Sequence, residues 1–143
     1  QTVRIAANSF LDWLPLQDTE RTTATLQRLD SFLDRHSIDF FNLGPYYYHN
    51  NDKNFAIVTD VIPQLVQASP KFSVSVDLAT AAAPAAASQS VELARACAQC
   101  CQTISTTTPN GLGNFRFGVA ACCDTTLIPY FPVATCRSNN NNN

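Results

Sequence analysis

The alternation of apolar and polar positions along the chain predicts four β-strands. Thr2–Ala7 and Phe72–Val76 place an apolar residue at every second position, as expected for strands with one buried face. Ile38–Leu43 and Phe115–Ala121 are apolar runs of strand length. Gly44-Pro45 is predicted to break the second strand sharply.

Three segments between these strands have the spacing of amphipathic helices. The first runs from about Glu20 to Arg35, with Asp18 or Thr19 as its N-cap. The second begins at Lys53 and is ended or kinked by Pro63. The third runs from Ser88 or Ser90 to about Ser105, and its predicted buried stripe is Leu93, Ala94, Cys97, Cys101 and Ile104.

This order, strand and helix repeated three times and then a strand, predicts an α/β fold. Long connections between strands favour parallel pairing through right-handed crossovers, so the sheet is predicted to be mainly parallel. A chain of 143 residues suits one core, and we expect a single domain over residues 1–138 followed by a polar tail, residues 139–143. A sheet of four strands is expected to leave at least one edge exposed.

The composition narrows the classes of partner. Only 14% of residues are charged, against roughly a quarter in typical proteins, so neutral side chains or more protein must cover much of the surface. The nine lysines and arginines are scattered, which argues against nucleic acid as a partner, and no apolar run is long enough to span a membrane. Because the sequence contains no methionine, we expect the chain to be a piece of a larger polypeptide.

Three of the six cysteines lie in the third predicted helix, at Cys97, Cys100 and Cys101. We interpret them as reduced, buried thiols of an intracellular protein, in the cytoplasm or in an organelle such as the plastid stroma. Redox and metal-binding roles are the alternatives. The second half of a helix disfavours the thiolate form, which argues against a redox role. Only His36 and His49 are available as imidazole ligands, so no metal site is predicted.

The candidate chemistry lies where strands are predicted to end. Ligands of open parallel sheets bind at the carboxyl ends of strands, where Cys122 and Cys123 follow the fourth strand and His49 follows the second. His49 lies in a predicted loop with Tyr46, Tyr47 and Tyr48, which favours a protein interface or a stacked ligand. Packing is the alternative role for the cysteines.

Two further residues, Asn114 and Arg116, are candidates for ligand binding. Arg116 is predicted within the fourth strand, where a structural salt bridge is the alternative to an anion site. The nearby Gly111-x-Gly113 follows a helix and precedes a strand, the reverse of a dinucleotide-binding fingerprint, so it indicates a helix C-terminus and turn.

Four segments resemble the DUF711 family, also called UPF0210, and especially its eukaryotic-type members: TVRIAANSFLDWL, DFFNLGP, SPKFSVSV, and GLGNFRFGVAACC with IPYFP. The resemblance implies a fold like that of the pyruvate formate-lyase-like glycyl radical enzymes, a barrel of two parallel half-sheets. It covers what would be an early portion of a longer family protein. The family has no established activity, so the resemblance assigns no catalytic residue.

The pair Cys122-Cys123 is similar to the paired active-site cysteines of formate-lyases, but no glycyl-radical loop is present. The following Asp124–Leu127 also departs from the Pro/Gly-rich link that is usual in the family. We therefore expect a structural or accessory subunit without catalysis of its own and without a cofactor. Its expected partners are other protein subunits or the remainder of its own chain. The alternative is an enzyme or small-molecule-binding protein that uses Cys122, Cys123 and His49, and a weaker third hypothesis is a redox protein that uses Cys97 and Cys100.

Overall fold

A computed structural model describes residues 1–48, 55–78 and 86–121. The strands are β1 (Arg4–Ala6), β2 (Phe40–Tyr48), β3 (Phe72–Leu78) and β4 (Phe117–Ala121), and the helices are α1 (Thr19–Arg35), α2 (Ile62–Ala68) and α3 (Ala86–Thr107). Short helical segments precede α1 (Phe10–Asp12), α2 (Ile57–Val61) and β4 (Pro109–Arg116). The start of the second predicted helix, the loop around Pro84 and the polar tail lie outside the described residues.

The four strands form one parallel sheet in the order β1-β2-β3-β4, which confirms the α/β prediction. Because crossovers between parallel strands are right-handed in nearly all proteins, this order places the three connecting helices on one face of the sheet. Phe72, Val74 and Val76 of β3 are fully buried in the same core as apolar residues of all three helices. Ser73 and Ser75 alternate with them and therefore point to the opposite face.

Helix α1 begins where its sequence predicts. The Asp18 carboxylate accepts a hydrogen bond from the backbone N–H of Arg21 at 3.0 Å and caps the helix. Leu26 and Leu33 are buried against the core, whereas Phe32 is exposed and its ring lies 4.3 Å from that of His36. Local periodicity and one capping residue are therefore enough to define this helix.

The predicted end of the second strand is wrong. Gly44 and Pro45 do not break β2; they form a bulge, seen as a shift in the register with β3 between Asn42 and Pro45. The side-chain oxygen of buried Asn42 accepts a hydrogen bond from the backbone N–H of Gly44 at 2.8 Å, and Gly44 has a φ of +95°. The chain then continues as a strand, so that the tyrosines after the bulge belong to the sheet and not to a loop.

Helix α2 accommodates the proline that was predicted to end or kink it. Pro63 lies in the first turn of α2 and has no N–H to donate to the carbonyls of the preceding helical turn. The turn before it, Ile57–Val61, is π-helical, and the N–H of Ile62 donates to the carbonyl of Ile57. The proline therefore marks where a wider turn gives way to a regular helix.

The buried stripe of α3 differs by a few positions from the predicted one. Leu93, Cys97 and Ile104 are buried as predicted. Ala94 is exposed, Cys101 is half-buried, and Ala96 and Cys100 lie in the core instead. The prediction was wrong at Ala94, because alanine is too small and too neutral to mark which face of a helix is buried, whereas Cys101 packs against the core as predicted.

Polar contacts join the elements at the amino-terminal end of the sheet. Lys71, which precedes β3, forms ion pairs of 2.9 Å with Asp30 and with Asp34 of α1. The hydroxyl of Ser69 also donates to Asp30, at 2.6 Å. Between the first two strands, the carboxylate of Asp39 accepts from the backbone N–H of Val3 at 2.7 Å. The turn that leads into β3 is thus fixed to α1.

We expect the Asp30→Asn variant to be less stable than the wild type at neutral pH, and the difference to disappear in acid. Burial opposes ionisation of Asp30, but the hydrogen bonds from Ser69 and Lys71 outweigh it and lower the pKa of the carboxyl. A lowered folded-state pKa contributes stability above the ordinary value, 3.8, that is lost as the pH falls through the folded-state pKa. Urea midpoints measured across this range test the prediction. Asp60→Asn, at an exposed position, is the control, and an equal effect from it at every pH would show that net charge alone is responsible.

Candidate functional site

The carboxyl-terminal ends of three strands meet at one end of the sheet. Tyr48 of β2 and Ala121 of β4 are both in register with Leu78 of β3. The strands that lead to His49 and to Cys122 therefore end on either side of β3. His49, Cys122 and Cys123 themselves lie outside the described residues, so that their closeness stays a prediction.

Polar residues follow β3 on the face opposite to the apolar core. Ser73 and Ser75 are buried, and the hydroxyl of Ser73 has no hydrogen-bond partner in the part of the chain that the structure describes. Asp77 comes next in this alternation, one residue before the end of the strand. Ser73, Ser75 and Asp77 therefore share one face of β3, and Asp77 places a carboxylate at the end of the sheet where ligands of parallel sheets bind.

Asp77 is the residue that the sequence interpretation missed as a candidate for the site. The predicted third strand ended at Val76, but Asp77 lies within β3 and is half-buried. Among the described residues its side chain has no hydrogen bond and no ion pair, and burial raises the pKa of its carboxyl. Extending the predicted alternation of Phe72–Val76 by one residue would have placed Asp77 on the polar face.

The three tyrosines do not form the predicted aromatic loop. Tyr46 and Tyr48 are buried in the core, and the ring of Tyr48 stacks on that of Phe55 with centroids 5.9 Å apart. Tyr47 points to the other face and is 38% exposed. It is in register with Asp77, so that of these three tyrosines only Tyr47 points to the same face as Asp77.

Asn114 and Arg116 lie at the opposite end of the sheet, before the start of β4. The predicted salt bridge of Arg116 is absent from the described residues. Its guanidinium Nη1 instead donates to the carbonyls of Val66, Ser69 and Phe72 at 2.7, 2.6 and 3.0 Å, and burial lowers its pKa. These contacts give Arg116 a structural role.

Asn114 donates from its side-chain nitrogen to the carbonyl of Cys101 at 3.2 Å, which joins this segment to α3. Its side-chain oxygen is buried and has no partner among the described residues. A ligand-binding role for Asn114 and Arg116 stays a prediction, and their position separates it from the carboxyl-terminal site.

A cavity of about 280 Å³ lies between α1 and the end of the π-helical turn and α2. Its lining contains no titratable side chain: Leu16, Thr19, Thr22, Thr23, Leu26, Gln27, Val61, Gln64, Leu65 and Ala68. It lacks a group for acid–base chemistry, and the hydroxyls of its threonines have no base within this lining to activate them. The carboxyl ends of the strands are therefore the better candidate for the site.

A family model described as "Uncharacterised ACR (DUF711)" matches residues 1–143, the whole chain. The chain belongs to the DUF711 family. No curated protein and no solved structure gives a significant match. The family confirms the resemblance, and it assigns no reaction to the DUF711 chain.

The three described cysteines of this DUF711 protein are free, as predicted. Cys97 and Cys100 are buried and Cys101 is half-buried. Burial raises the pKa of Cys97 to about 11, and it raises the pKa of Cys100 further. No three His, Cys, Asp or Glu side chains come together as a metal site within the described ranges, and no helix there is long and apolar enough to cross a membrane.

We expect these thiols of the DUF711 chain to react slowly with iodoacetamide in the native state. Because a thiolate is the reacting form, the raised pKa values of Cys97 and Cys100 predict alkylation at least about tenfold slower than in the urea-denatured chain. Cys101, the most exposed of the three, should be modified first. Fragmentation mass spectrometry of the labelled peptide gives the three rates. Rapid native labelling of Cys97 and Cys100 would support the redox hypothesis instead.

Proposed function

We propose that this DUF711 chain is a structural or accessory part of a larger α/β assembly and has no catalysis of its own. The observation that carries the proposal is a parallel sheet whose outer strands, β1 and β4, each pair with one neighbour within the described residues and carry an exposed apolar side chain. Such an edge is completed by pairing with a further strand. One half of a barrel like that of the pyruvate formate-lyase-like enzymes has two such edges, which a second half-sheet closes.

The exposed apolar residues on the outer strands support this proposal. Ile5 of β1 is 39% exposed and Val119 of β4 is 44% exposed, and each of these strands pairs with one neighbour within the described residues. Unprotected strand edges are templates for further pairing. The expected partner at these edges is protein, either a second polypeptide or a further segment of the same one. Pairing at a strand edge requires neither nucleic acid nor a membrane.

The free thiols of α3 support an intracellular location, in the cytoplasm or an organelle such as the plastid stroma. Disulfides form and persist in oxidising compartments, whereas thiols remain reduced where glutathione and thioredoxin are present.

The assembly proposal is tested by measuring the mass of the purified chain by light scattering over a range of concentrations. We expect concentration-dependent association that is weakened by Ile5→Lys and by Val119→Lys, because a charge on an edge strand opposes pairing. Leu112→Lys changes an exposed apolar residue outside the strands and is the control. A monomer at every concentration that binds no hydrophobic dye would contradict the proposal.

A second candidate function, an enzyme or small-molecule-binding protein, is favoured by Asp77, the carboxylate at the carboxyl end of β3 that has no partner among the described residues. In this case Cys122, Cys123 and His49 supply a nucleophile and a base near the strand ends. Labelling distinguishes this function from the first: a Cys123 thiol that reacts no faster in the native chain than in the denatured chain would argue against it.

A further inference from the structure

The cavity between α1 and α2 has an apolar floor and a polar rim. Leu26 and Leu65, which line it, are 7% and 2% exposed, whereas Thr19, Thr23 and Gln64 are exposed to solvent. Its volume of about 280 Å³ is far greater than the roughly 30 Å³ that one water molecule occupies in the liquid. The cavity is therefore both open at the surface and large enough to hold a small molecule.

A rare kind of helical turn borders the cavity. Val61 lines it and is the last residue of the π-helical turn Ile57–Val61. The lining continues along one face of α2 at Gln64, Leu65 and Ala68, which have helical spacing. Single π-helical turns are uncommon and are frequently found at functional sites. This turn is a second observation, independent of the volume of the cavity, that marks the same place.

The lining of the cavity defines what it can bind. It contains no charged side chain, so that an ionised ligand would lose its hydration without gaining an ion pair. Its threonine hydroxyls and glutamine amides can form hydrogen bonds with a neutral polar group. The hydroxyl of Thr22 donates to the carbonyl of Pro15 at 2.8 Å, and its oxygen can still accept.

The floor of the cavity favours an apolar body of limited size. Leu16, Leu26 and Leu65 offer hydrocarbon surface, against which an apolar group is removed from water. An engineered apolar cavity of about 150 Å³ binds benzene, so that a six-membered ring with one substituent is a suitable size for the cavity of this chain.

We propose that the cavity between α1 and α2 binds a small uncharged molecule with an apolar body and a hydroxyl group. The apolar body lies against the buried leucines, and the hydroxyl group bonds to the threonines and glutamines of the rim. This binding goes beyond the proposed role in an assembly and uses none of the candidate residues at the carboxyl ends of the strands. It needs no reaction and no cofactor.

The test is a titration of the ¹⁵N-labelled full chain with cyclohexanol, followed by NMR. We expect the largest amide shifts on both walls of the cavity, at Thr22, Thr23, Gln64 and Leu65, with a Kd of about 1–10 mM, as suits so small a ligand. Cyclohexylammonium and cyclohexanecarboxylate carry the same ring with a charge, and each should bind at least about tenfold more weakly.

Thr23→Phe and Ala68→Phe add a ring from the two walls of the cavity, and each should weaken cyclohexanol binding at least about tenfold. Ala24→Phe adds the same side chain at the next position of α1, which does not line this cavity, and should bind like the wild type. All three positions are exposed, so that the variants are expected to fold, and their amide spectra without ligand check this directly.

No shift of the lining amides up to ~100 mM cyclohexanol would overturn the site. Equal binding of the two charged analogues, or wild-type affinity in both Thr23→Phe and Ala68→Phe, would overturn it as well. The assembly proposal concerns the edges of β1 and β4 and is tested by mass. Failure of one therefore leaves the other standing.

Discussion

Replacing Gly44 with alanine is expected to lower the free energy of unfolding by about 3–5 kcal/mol. Two effects add at this position. Gly44 has a φ of +95°, which side chains with a Cβ rarely adopt. A Cβ there would also overlap the backbone carbonyl of Asn8 and lie 2.8 Å from the backbone nitrogen of Ser9. The bulge can relieve this overlap only if β2 loses its register with β3. The expected decrease is a large fraction of the total free energy of unfolding of a small domain.

The Gly111→Ala variant separates the two effects. Gly111 also has a positive φ, +69°, but the nearest atom to an added Cβ would be the Ser105 hydroxyl oxygen at 3.2 Å. We expect a loss of only about 1–2 kcal/mol there, from the backbone conformation alone. Urea denaturation of both variants gives the comparison. If Gly44→Ala costs no more than Gly111→Ala, the close approach of β2 to the segment after β1 does not exist in solution.

The sequence was sufficient where structure is decided locally. The start of α1 depends on one capping carboxylate and on a spacing of 3.6 residues, and both are visible in the order of the residues. The parallel sheet followed from the length of the connections, which leaves little choice of topology. These features need no knowledge of distant contacts.

The sequence was insufficient where a distant partner changes the outcome. Gly44-Pro45 has the local character of a break, yet pairing with β3 on both sides of the bulge carries the strand through it. Arg116 was assigned a carboxylate partner by charge alone, whereas its partners are backbone carbonyls that precede it by 44 to 50 residues. A backbone carbonyl cannot be identified as a partner from the sequence, because every residue has one.

The place of the candidate site stays a prediction. It comes from the rule that ligands bind at the carboxyl ends of parallel strands, and the structure shows that the ends of β2, β3 and β4 lie in register there. The interpretation then followed the reactive residue types, cysteine and histidine, and overlooked Asp77 because aspartate is common in turns. Continuing the alternation of β3 would have added Asp77 to the candidates.

Replacing Arg116 with methionine is expected to lower the free energy of unfolding by about 2–4 kcal/mol. The guanidinium Nη1 of Arg116 donates to three carbonyls at once, those of Val66, Ser69 and Phe72, so that one group joins the end of α2 to the start of β3. Methionine fills a similar volume but leaves these partly buried carbonyls without their donor. The carbonyl end of a helix also favours a positive charge, which the substitution removes.

Arg116→Lys is the matched control, because it keeps the charge on a shorter side chain. We expect it to recover less than half of the loss, since the lysine ammonium ends one bond short of the Nη1 atom with which Arg116 reaches all three carbonyls. Urea denaturation at neutral pH measures both variants.

A second experiment combines Arg116→Met with Lys71→Met, which releases the same turn from α1. The carbonyl of Ser69 accepts from Arg116, and Ser69 lies two residues from Lys71. We therefore expect the losses in the free energy of unfolding of the two single variants not to be additive. Strict additivity would show that the turn is held at two independent points.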